Sequence, residues 1–256
     1  MPAFNLHTVD LSHINWLKHN YDFSLSSDDV HIWVIEVNNE AAYFDRIKKI
    51  LSADEIERML RFKKKDDQLR FAYAHACLRI LCSRYLGQPA PSINFTETLN
   101  KKPCIEISFG NLFFNLSHSG RKILIAFSNE SEVGVDIEQI RPDFKIEEFM
   151  ERNYSSNEIN SIINLDREAQ LNLFFKYWSR KEAWLKATGI GIFSDLAMVD
   201  TALNANIVNT DQYIAGNLKE NFYIYSFTSE DYRASIVLNN KSEKLHFLKF
   251  DFDQLL

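Results

Sequence analysis

The sequence has few cysteines, no long apolar run and no excess of positive charge. The three cysteines, Cys77, Cys82 and Cys104, lack disulfide or metal-ligand spacing, so we expect small buried thiols. No N-terminal segment joins a basic start to an apolar core, and no apolar run could span a bilayer, so we expect neither a signal peptide nor a membrane span. A net charge of −6 and a pI near 5.7 argue against nucleic acid as the main partner. Together these features predict a cytoplasmic protein without nucleic-acid or membrane partners.

The length and the apolar content predict a well-packed globular protein. The 256 residues allow one large domain or two small ones, and 46% hydrophobic residues with 20 Phe suit an ample core. Local patterns predict a strand at His31–Val37 and a helix at Glu40–Leu51. Residues 1–29 are polar and are expected to be irregular, with a short helix near Ile14–His19.

The segment Phe174–Lys186, which is followed by Gly189, has the pattern of a helix. On a helix its apolar residues form one stripe, made of Leu171, Phe174, Phe175, Trp178 and Leu185. Glu182 falls inside this stripe, where a carboxylate is costly unless a positive charge meets it. Lys186, one turn further on, could form an ordinary helix ion pair with it. A bound metal ion is the second interpretation.

A second source of carboxylates lies on a predicted strand. Val133–Glu138 alternates, so that Gly134, Asp136 and Glu138 share one face. Side chains two apart on a strand are roughly 6.5–7 Å from each other at the backbone and can converge on one ion. Gly134 leaves room for a close approach. A solvated strand face is the alternative, but with Glu182 the three carboxylates favour a hard cation, Mg²⁺ first, that works with substrate phosphates.

Four motifs in order resemble those of a known family. Gly134–Glu138 and Trp178–Lys186 resemble the paired signature of the 4'-phosphopantetheinyl transferases. Upstream, Phe114–Gly120 and the Lys102-Pro103 pair are similar to the Sfp-type branch of that superfamily. The order and spacing match across residues 50 to 195.

The resemblance implies a reaction. The phosphopantetheine arm of coenzyme A would be transferred to a serine of an apo acyl, peptidyl or aryl carrier protein, and adenosine 3',5'-bisphosphate would leave. The resemblance implies that Mg²⁺, or alternatively Mn²⁺, is bound by Asp136, Glu138 and Glu182, the same three carboxylates that their spacing favours. Lys186 is implied to contact the pyrophosphate, with the helix ion pair as its alternative. Lys181 lies off the stripe and is expected to face solvent or the partner protein.

The resemblance also implies contacts to coenzyme A. Ser117 and His118 would face the 3'-phosphate and diphosphate, although a lone histidine is often a core residue. Lys102 would contact the nucleotide. Three basic residues lie near the family's phosphate-binding positions, although such a run is often a solvated face: Arg58, Arg61 and Arg70. Here the match departs from the pattern, because Glu55 stands where a relative has lysine and Phe71 where one has threonine.

Glu158 has two interpretations that the sequence leaves open. Ser155 and Glu158 form a capping box, in which the glutamate would fold back onto the N-cap amide. In the family, the matching glutamate has been proposed as the base that activates the serine, which requires only hydrogen-bond reach. We therefore take Glu158, Glu182 and Lys186 as the candidate catalytic residues.

The sequence also contains an internal repeat, in which the same order of predicted elements occurs twice. The capping box at Ser52–Ile56 mirrors the one at Ser155–Ile159, and each precedes a long aromatic-rich helix ending at glycine, Gly87 or Gly189. The predicted strand pair at Phe113–Phe127 has a counterpart at Phe222–Leu238, and copies about a hundred residues apart are too distant for a solenoid.

The repeat predicts an α+β fold of two similar lobes related by a pseudo-twofold axis. The predicted lobes are residues 1–131, on the coenzyme A side, and residues 132–256, with most metal ligands. The resemblance implies an active site in the cleft between lobes, and we expect a monomer. Two other functions are considered: a different Mg²⁺-dependent phosphoryl or nucleotidyl transferase, and a non-catalytic module that binds carrier proteins.

Overall fold

The computed structural model describes residues 3–18, 23–38, 41–105, 112–191, 195–203, 205–209, 220–242 and 244–255. In these residues the strands are β1 (Ala3–Asp10), β2 (Asp29–Glu36), β3 (Phe95–Glu97), β4 (Pro103–Ile105), β5 (Phe113–Ser119), β6 (Lys122–Ser128), β7 (Val133–Gln139), β8 (Ala205–Asn209), β9 (Glu220–Ser229), β10 (Tyr232–Leu238) and β11 (Lys244–Lys249). The α-helices are α1 (Ala41–Lys48), α2 (Ala53–Leu60), α3 (Lys65–Leu86), α4 (Glu147–Asn153), α5 (Ser156–Ile163), α6 (Arg167–Thr188) and α7 (Phe252–Leu255). This mixed composition confirms the predicted α+β class.

The chain divides into two compact units. Unit 1 comprises Met1–Ile14, Leu99–Lys102 and Ser131–Ser242, and unit 2 comprises Asn15–Thr98, Pro103–Glu130 and Glu243–Leu256. The predicted lobes, 1–131 and 132–256, have a single boundary in the chain. By contrast, the N-terminal segment belongs to unit 1 and the C-terminal segment belongs to unit 2. The reason is strand pairing: β1 joins the sheet of β8 and β9, and β11 joins that of β2.

Unit 1 contains a five-stranded sheet in the order β7-β10-β9-β1-β8. β1 runs parallel to β9, and the other pairs are antiparallel. Helix α6 packs on this sheet, and its Trp184 meets Phe4 and Phe222 in the core. A second apolar cluster, around Tyr154 and Phe174, joins α4 and α5 to α6.

Unit 2 contains a four-stranded sheet in the order β11-β2-β6-β5 and a small β3-β4 ladder. β11 runs parallel to β2, and the other pairs are antiparallel. Helix α3 supplies much of the core, in which Trp33, Tyr73 and Phe127 are fully buried. None of the helices in the described ranges is long and apolar enough to cross a membrane.

The prediction for the N-terminal residues was wrong. Residues 3–10 form β1 instead of irregular chain, because Phe4 and Leu6 alternate into the core of unit 1. The short helix expected at Ile14–His19 is absent over its described residues 14–18, where Leu17 makes a β-bridge to Leu248; His19 lies outside the described residues.

The local features of the repeat are confirmed within each unit. Both capping boxes form, at Ser52 before α2 and at Ser155 before α5. α3 and α6 each have 22 residues and end at a left-handed glycine, Gly87 (φ 64°) or Gly189 (φ 63°). The predicted strand pairs are the antiparallel ladders β5-β6 and β9-β10. The pseudo-twofold relation stays a prediction.

Candidate functional site

Gly134 explains how strand β7 and helix α6 come together. A Cβ atom at Gly134 would lie 2.0 Å from the Ala183 carbonyl oxygen and 2.4 Å from the Ala187 amide nitrogen. Only a residue without a side chain permits this contact. The close approach predicted at Gly134 is therefore made by the backbone of α6, and it brings the helix against the acidic strand.

Asp136 and Glu182 form a pair of neighbouring acids. Asp136 is only 3% exposed, and Glu182 is half-buried. Burial, and then the negative charge of Asp136, raise the pKa of the Glu182 carboxyl, whereas Lys186 opposes this effect. The two acids predicted from separate motifs thus lie close enough to repel each other, and such a pair favours a bound cation.

Lys186 supplies a positive charge at this pair. Its Nζ atom lies 2.6 Å from Asp136 Oδ1 and donates to the Val135 carbonyl at 3.3 Å. The ion pair thus joins the helix to the strand, in addition to the charge interaction with Glu182 expected along the helix. Lys186 is partly exposed and close enough to act on a ligand that reaches Asp136.

Glu138, the third predicted metal ligand, is held by a tryptophan. The Trp178 indole Nε1 donates to Glu138 Oε1 at 3.2 Å. Sequence reasoning missed this contact, because Trp178 belongs to the apolar stripe and a hydrophobic pattern carries no information about its N–H group. The one available signal was that Trp178 lies one helical turn before Glu182, on the side of the helix that carries the acid.

The acidic cluster suits Mg²⁺ better than a metal that needs a full protein cage. Within the described ranges, no three carboxylate, imidazole or thiol groups gather in an arrangement that could hold a metal ion. Mg²⁺ is usually bound by one or two carboxylates together with water and substrate phosphates. Asp136 and Glu182 fit that requirement, and the assignment of Asp136, Glu138 and Glu182 as ligands stays a prediction.

The structure corrects the hypothesis that Glu158 is a general base. Its carboxylate is 0% exposed, and Oε2 accepts from the Ser155 amide and pairs with Lys181 at 2.8 Å. Oε1 accepts from the Thr201 amide and hydroxyl at 2.9 and 2.7 Å. A fully buried carboxylate with donors on both oxygens has no access to a serine on another protein, so the capping interpretation is the one that the structure supports.

The expectation that Lys181 faces solvent or a partner was also wrong. The side chain is 0% exposed, and Nζ donates to the carbonyls of Leu196 and Val199 besides pairing with Glu158. The segment that carries Leu196 and Val199 covers the side of α6 that the hydrophobic pattern had left open. The matching Glu55 and Arg79 pair in unit 2 shows the same device.

The Lys102 side chain contacts the residues at the start of β7. Its ammonium pairs with Glu132 and donates to the Val133 carbonyl at 3.3 Å. Asn100, two residues earlier, donates to the Gly189 carbonyl at 2.7 Å, beside the end of α6. These contacts tie the short segment to unit 1, and the predicted nucleotide contact of Lys102 stays a prediction.

In unit 2, Arg70 lies beside the turn that follows His118. Its guanidinium donates to the Gly120 carbonyl at 3.2 Å and pairs with Asp67. His118 is exposed, which argues against the alternative of a core histidine, whereas Ser117 is buried in strand β5. The structure thus brings Arg70 to one predicted phosphate-binding turn.

The other two basic residues have separate surroundings. The Arg58 guanidinium lies over the Phe71 ring, 5.5 Å from its centroid. Arg61 is well exposed and pairs with Glu57 on the same helix, as expected of a solvated face. Their predicted phosphate contacts stay predictions.

The departure at Glu55 has a structural explanation. Burial would raise the pKa of the Glu55 carboxyl, but hydrogen bonds from His75, Arg79 and the Ser52 amide outweigh it and lower the pKa to about 2. Glu55 therefore forms a buried ion pair with Arg79, whereas a lysine at this position would offer a positive charge to a phosphate.

Comparisons with known proteins identify the family of the chain. The model of the 4'-phosphopantetheinyl transferase superfamily matches residues 132–237, and the model of the 4'-phosphopantetheinyl transferase N-terminal region matches residues 38–130. The chain is 33% identical over 190 residues to 4'-phosphopantetheinyl transferase HetI of Nostoc sp., covering 73% of this chain and 80% of that protein. It is 30% identical over 148 residues to Sfp of Bacillus subtilis, covering 58% of this chain and 64% of that protein.

The acidic residues and the lysine that a strand and a helix bring together here are groups that a metal-assisted transferase of phosphate groups uses. The two family models and the HetI match specify the class further. This chain belongs to the 4'-phosphopantetheinyl transferase superfamily, of the Sfp type.

Proposed function

We propose that the protein transfers the 4'-phosphopantetheine group of coenzyme A to a serine of an apo carrier protein, in a Mg²⁺-dependent reaction that releases adenosine 3',5'-bisphosphate. The observation that carries the proposal is the contact between β7 and α6, which places Asp136, Glu182 and Lys186 together. The 4'-phosphopantetheinyl transferases HetI and Sfp support it by similarity.

The chain's own residues have distinct roles in this proposal. Asp136 and Glu182 would hold the ion, with Glu138 as the third carboxylate. Bound Mg²⁺ would neutralise charge on the pyrophosphate as a Lewis acid. Lys186 would donate to a pyrophosphate oxygen. Its Nζ already pairs with the carboxylate of Asp136, so it would exchange one anionic partner for another.

The residues of unit 2 are proposed to bind the nucleotide part of coenzyme A. Arg70, held at the turn after His118, and His118 itself are the candidates that the structure supports most directly. Ser117, Arg58, Arg61 and the unit 1 residue Lys102 complete the predicted set. We also propose a cytoplasmic monomer; the three free cysteines, Cys77, Cys82 and Cys104, are in the state expected of a reducing compartment.

The experiment is incubation with coenzyme A, Mg²⁺ and a panel of apo carrier proteins, read by intact mass. The expected result is one added phosphopantetheine arm on at least one carrier, abolished by a chelator and restored by Mg²⁺. Binding of coenzyme A and carrier without any mass change would favour a non-catalytic module. Turnover of another nucleotide, with no binding of coenzyme A, would favour a different transferase.

Dephospho-coenzyme A sharpens the assignment of the nucleotide contacts. A residue that binds the 3'-phosphate loses affinity for coenzyme A on substitution but little for the truncated ligand. Calorimetry on Arg70→Ala, His118→Ala and Lys102→Ala measures both affinities. If all three bind coenzyme A like the parent, the nucleotide site lies elsewhere.

A further inference from the structure

The contact between Trp178 and Glu138 links the apolar stripe of α6 directly to the acidic strand. The indole N–H donates to one carboxylate oxygen at 3.2 Å, and Trp178 stands one helical turn before Glu182. A hydrogen bond from a half-buried indole to a carboxylate is charge-assisted and restricts how that carboxylate can rotate.

The Trp178 ring is also held by packing against aromatic and apolar side chains. The Trp178 ring meets the Phe149 ring edge-on, with centroids 4.6 Å apart and an interplanar angle of 79°. It also packs against both apolar clusters of unit 1, the one around Trp184 and the one around Phe174. A donor held in this way can fix its acceptor instead of following it.

The corresponding position of α3 supports a role beyond packing. Counted back from the glycine that ends each helix, Trp178 and Ala76 are both eleven residues before it, since 189 − 178 = 87 − 76 = 11. Ala76 is fully buried in the core of unit 2. Strands β5 and β6, which α3 contacts, carry no acidic residue, and α3 has no indole at this position.

From these contacts we infer that Trp178 is a positioning residue for Glu138, whose carboxylate its indole N–H restrains for binding of the divalent cation. The inference rests on the proposed function, because it assumes that Glu138 binds the ion. Groups that hydrogen-bond to a metal ligand orient it, and their loss typically weakens metal binding by about 10-fold to 100-fold.

The test removes the N–H group while keeping the ring. Trp178→Phe is the simple variant, and replacement of Trp178 by 3-benzothienylalanine keeps the indole shape but has sulfur in place of N–H. Mn²⁺ binding to the coenzyme A-free protein is measured by electron paramagnetic resonance. We expect both proteins to bind Mn²⁺ about 10-fold or more weakly than the parent.

Trp184 provides the matched control on the same helix. It is fully buried against Phe4 and Phe222 and lies in the apolar core, so Trp184→Phe should lower the melting temperature without changing Mn²⁺ affinity. In a double variant, adding Trp178→Phe to Glu138→Gln should cause no further loss of Mn²⁺ affinity, because the acceptor's charge is already gone.

The outcomes separate this inference from the proposed function. Parental Mn²⁺ affinity in the benzothienyl protein would overturn the positioning role, even if the parent transfers phosphopantetheine normally. An additive loss in the double variant would overturn it as well. A parent that neither binds Mn²⁺ nor modifies any carrier would instead overturn the proposed function.

Discussion

Helices α3 and α6 can be compared position by position, because both run for 22 residues to a left-handed glycine, Gly87 or Gly189. Eight residues before that glycine each helix has a buried basic residue: Arg79 in α3 and Lys181 in α6, since 87 − 79 = 189 − 181 = 8. Each of these basic residues forms an ion pair with the glutamate of the preceding capping box. The same glutamate therefore serves both the helix cap and the ion pair, once in each unit.

The helices differ at the positions that follow. The next residue is Ile80 in α3, which is buried in the core, and Glu182 in α6, which lies beside Asp136. Four residues further on, α3 has an exposed Arg84, whereas α6 has Lys186, paired with Asp136. Both units have the capping glutamate with its ion pair, which is a structural feature. Only α6 carries the acidic site. By this criterion Glu158 belongs to the scaffold.

The largest expected effect is at the position where the helices differ most. Glu182→Gln should reduce transfer by at least about 1000-fold, since a metal ion's stabilisation of transition-state charge is worth several kcal/mol. Its melting temperature should not fall, because the change removes a half-buried charge that Asp136 repels. Transfer is measured by intact mass over a range of Mg²⁺ concentrations.

Glu168 provides the control, as an exposed glutamate in the first turn of the same helix. Glu168→Gln should transfer at the parental rate. A folded Glu182→Gln protein with near-parental turnover at limiting Mg²⁺ would remove Glu182 from the site.

The second prediction breaks the shared device in each unit. Lys181→Met leaves the Glu158 charge buried without its positively charged partner, and Arg79→Met does the same to Glu55. Each substitution should therefore lower the free energy of unfolding by about 3–5 kcal/mol. Combining Lys181→Met with Glu158→Gln should recover part of the loss. Urea unfolding measures these energies, with hydrogen exchange to distinguish the two units.

The same variants decide between cap and base. At a temperature where it remains folded, Glu158→Gln should keep its turnover within a few-fold of the parent. A loss of roughly 10²–10⁴-fold with an unchanged melting temperature would restore the general-base hypothesis.

Much of this comparison could be predicted from the sequence, because capping boxes, terminal glycines and apolar stripes are local patterns. The motifs also gave Asp136, Glu138, Glu182 and Lys186 as a group. The partners of Lys181 could not be predicted from a helical wheel, because they are backbone carbonyls of Leu196 and Val199 in a later segment.

Strand β1 shows a second limit of local reasoning. Its residues look polar, and it becomes a strand by pairing with β8 and β9, about two hundred residues later in the chain. Similarly, Gly134 signalled a close contact but not its partner, since only the fold places the Ala183 carbonyl there.

The third prediction separates a glycine required for contact from one required for conformation. Gly134→Ala would force β7 and α6 apart, because the new Cβ meets helix backbone and not a movable side chain. We expect a loss of about 1–3 kcal/mol in stability. Transfer should fall by roughly 100-fold, since displacing a site by about 1 Å can cost that much.

Gly87→Ala is the control in the other unit. Its φ is +64°, and a Cβ there would have nothing within 4 Å, so only backbone strain of about 1 kcal/mol is expected. Transfer by the folded Gly87→Ala protein should equal that of the parent. Equal transfer by Gly134→Ala would show that the spacing of β7 and α6 does not limit the reaction.

The smallest effect concerns the pH dependence of the capping pair in unit 2. The pKa of Glu55 is lowered from 4.5 to about 2 in the folded protein by His75, Arg79 and the Ser52 amide, against the effect of burial. The unfolded chain therefore takes up this proton first as the pH falls. The stabilisation is fully present above pH 4.5 and is lost towards pH 2. Between pH 7 and pH 4 the loss from this group alone should be about 1 kcal/mol.

Comparing the parent with Glu55→Gln isolates that contribution from other carboxylates. The variant starts less stable at pH 7, because Arg79 loses its partner, but its stability should fall by about 1 kcal/mol less on going to pH 4. Glu57→Gln, a change at an exposed position of the same helix, should follow the parent. Urea unfolding at the two pH values, with hydrogen exchange on peptides of α3, measures the difference. If Glu55→Gln and the parent lose the same stability, the low pKa of Glu55 is not what couples unit 2 to acid, and the two capping pairs must be compared on neutral-pH energies alone.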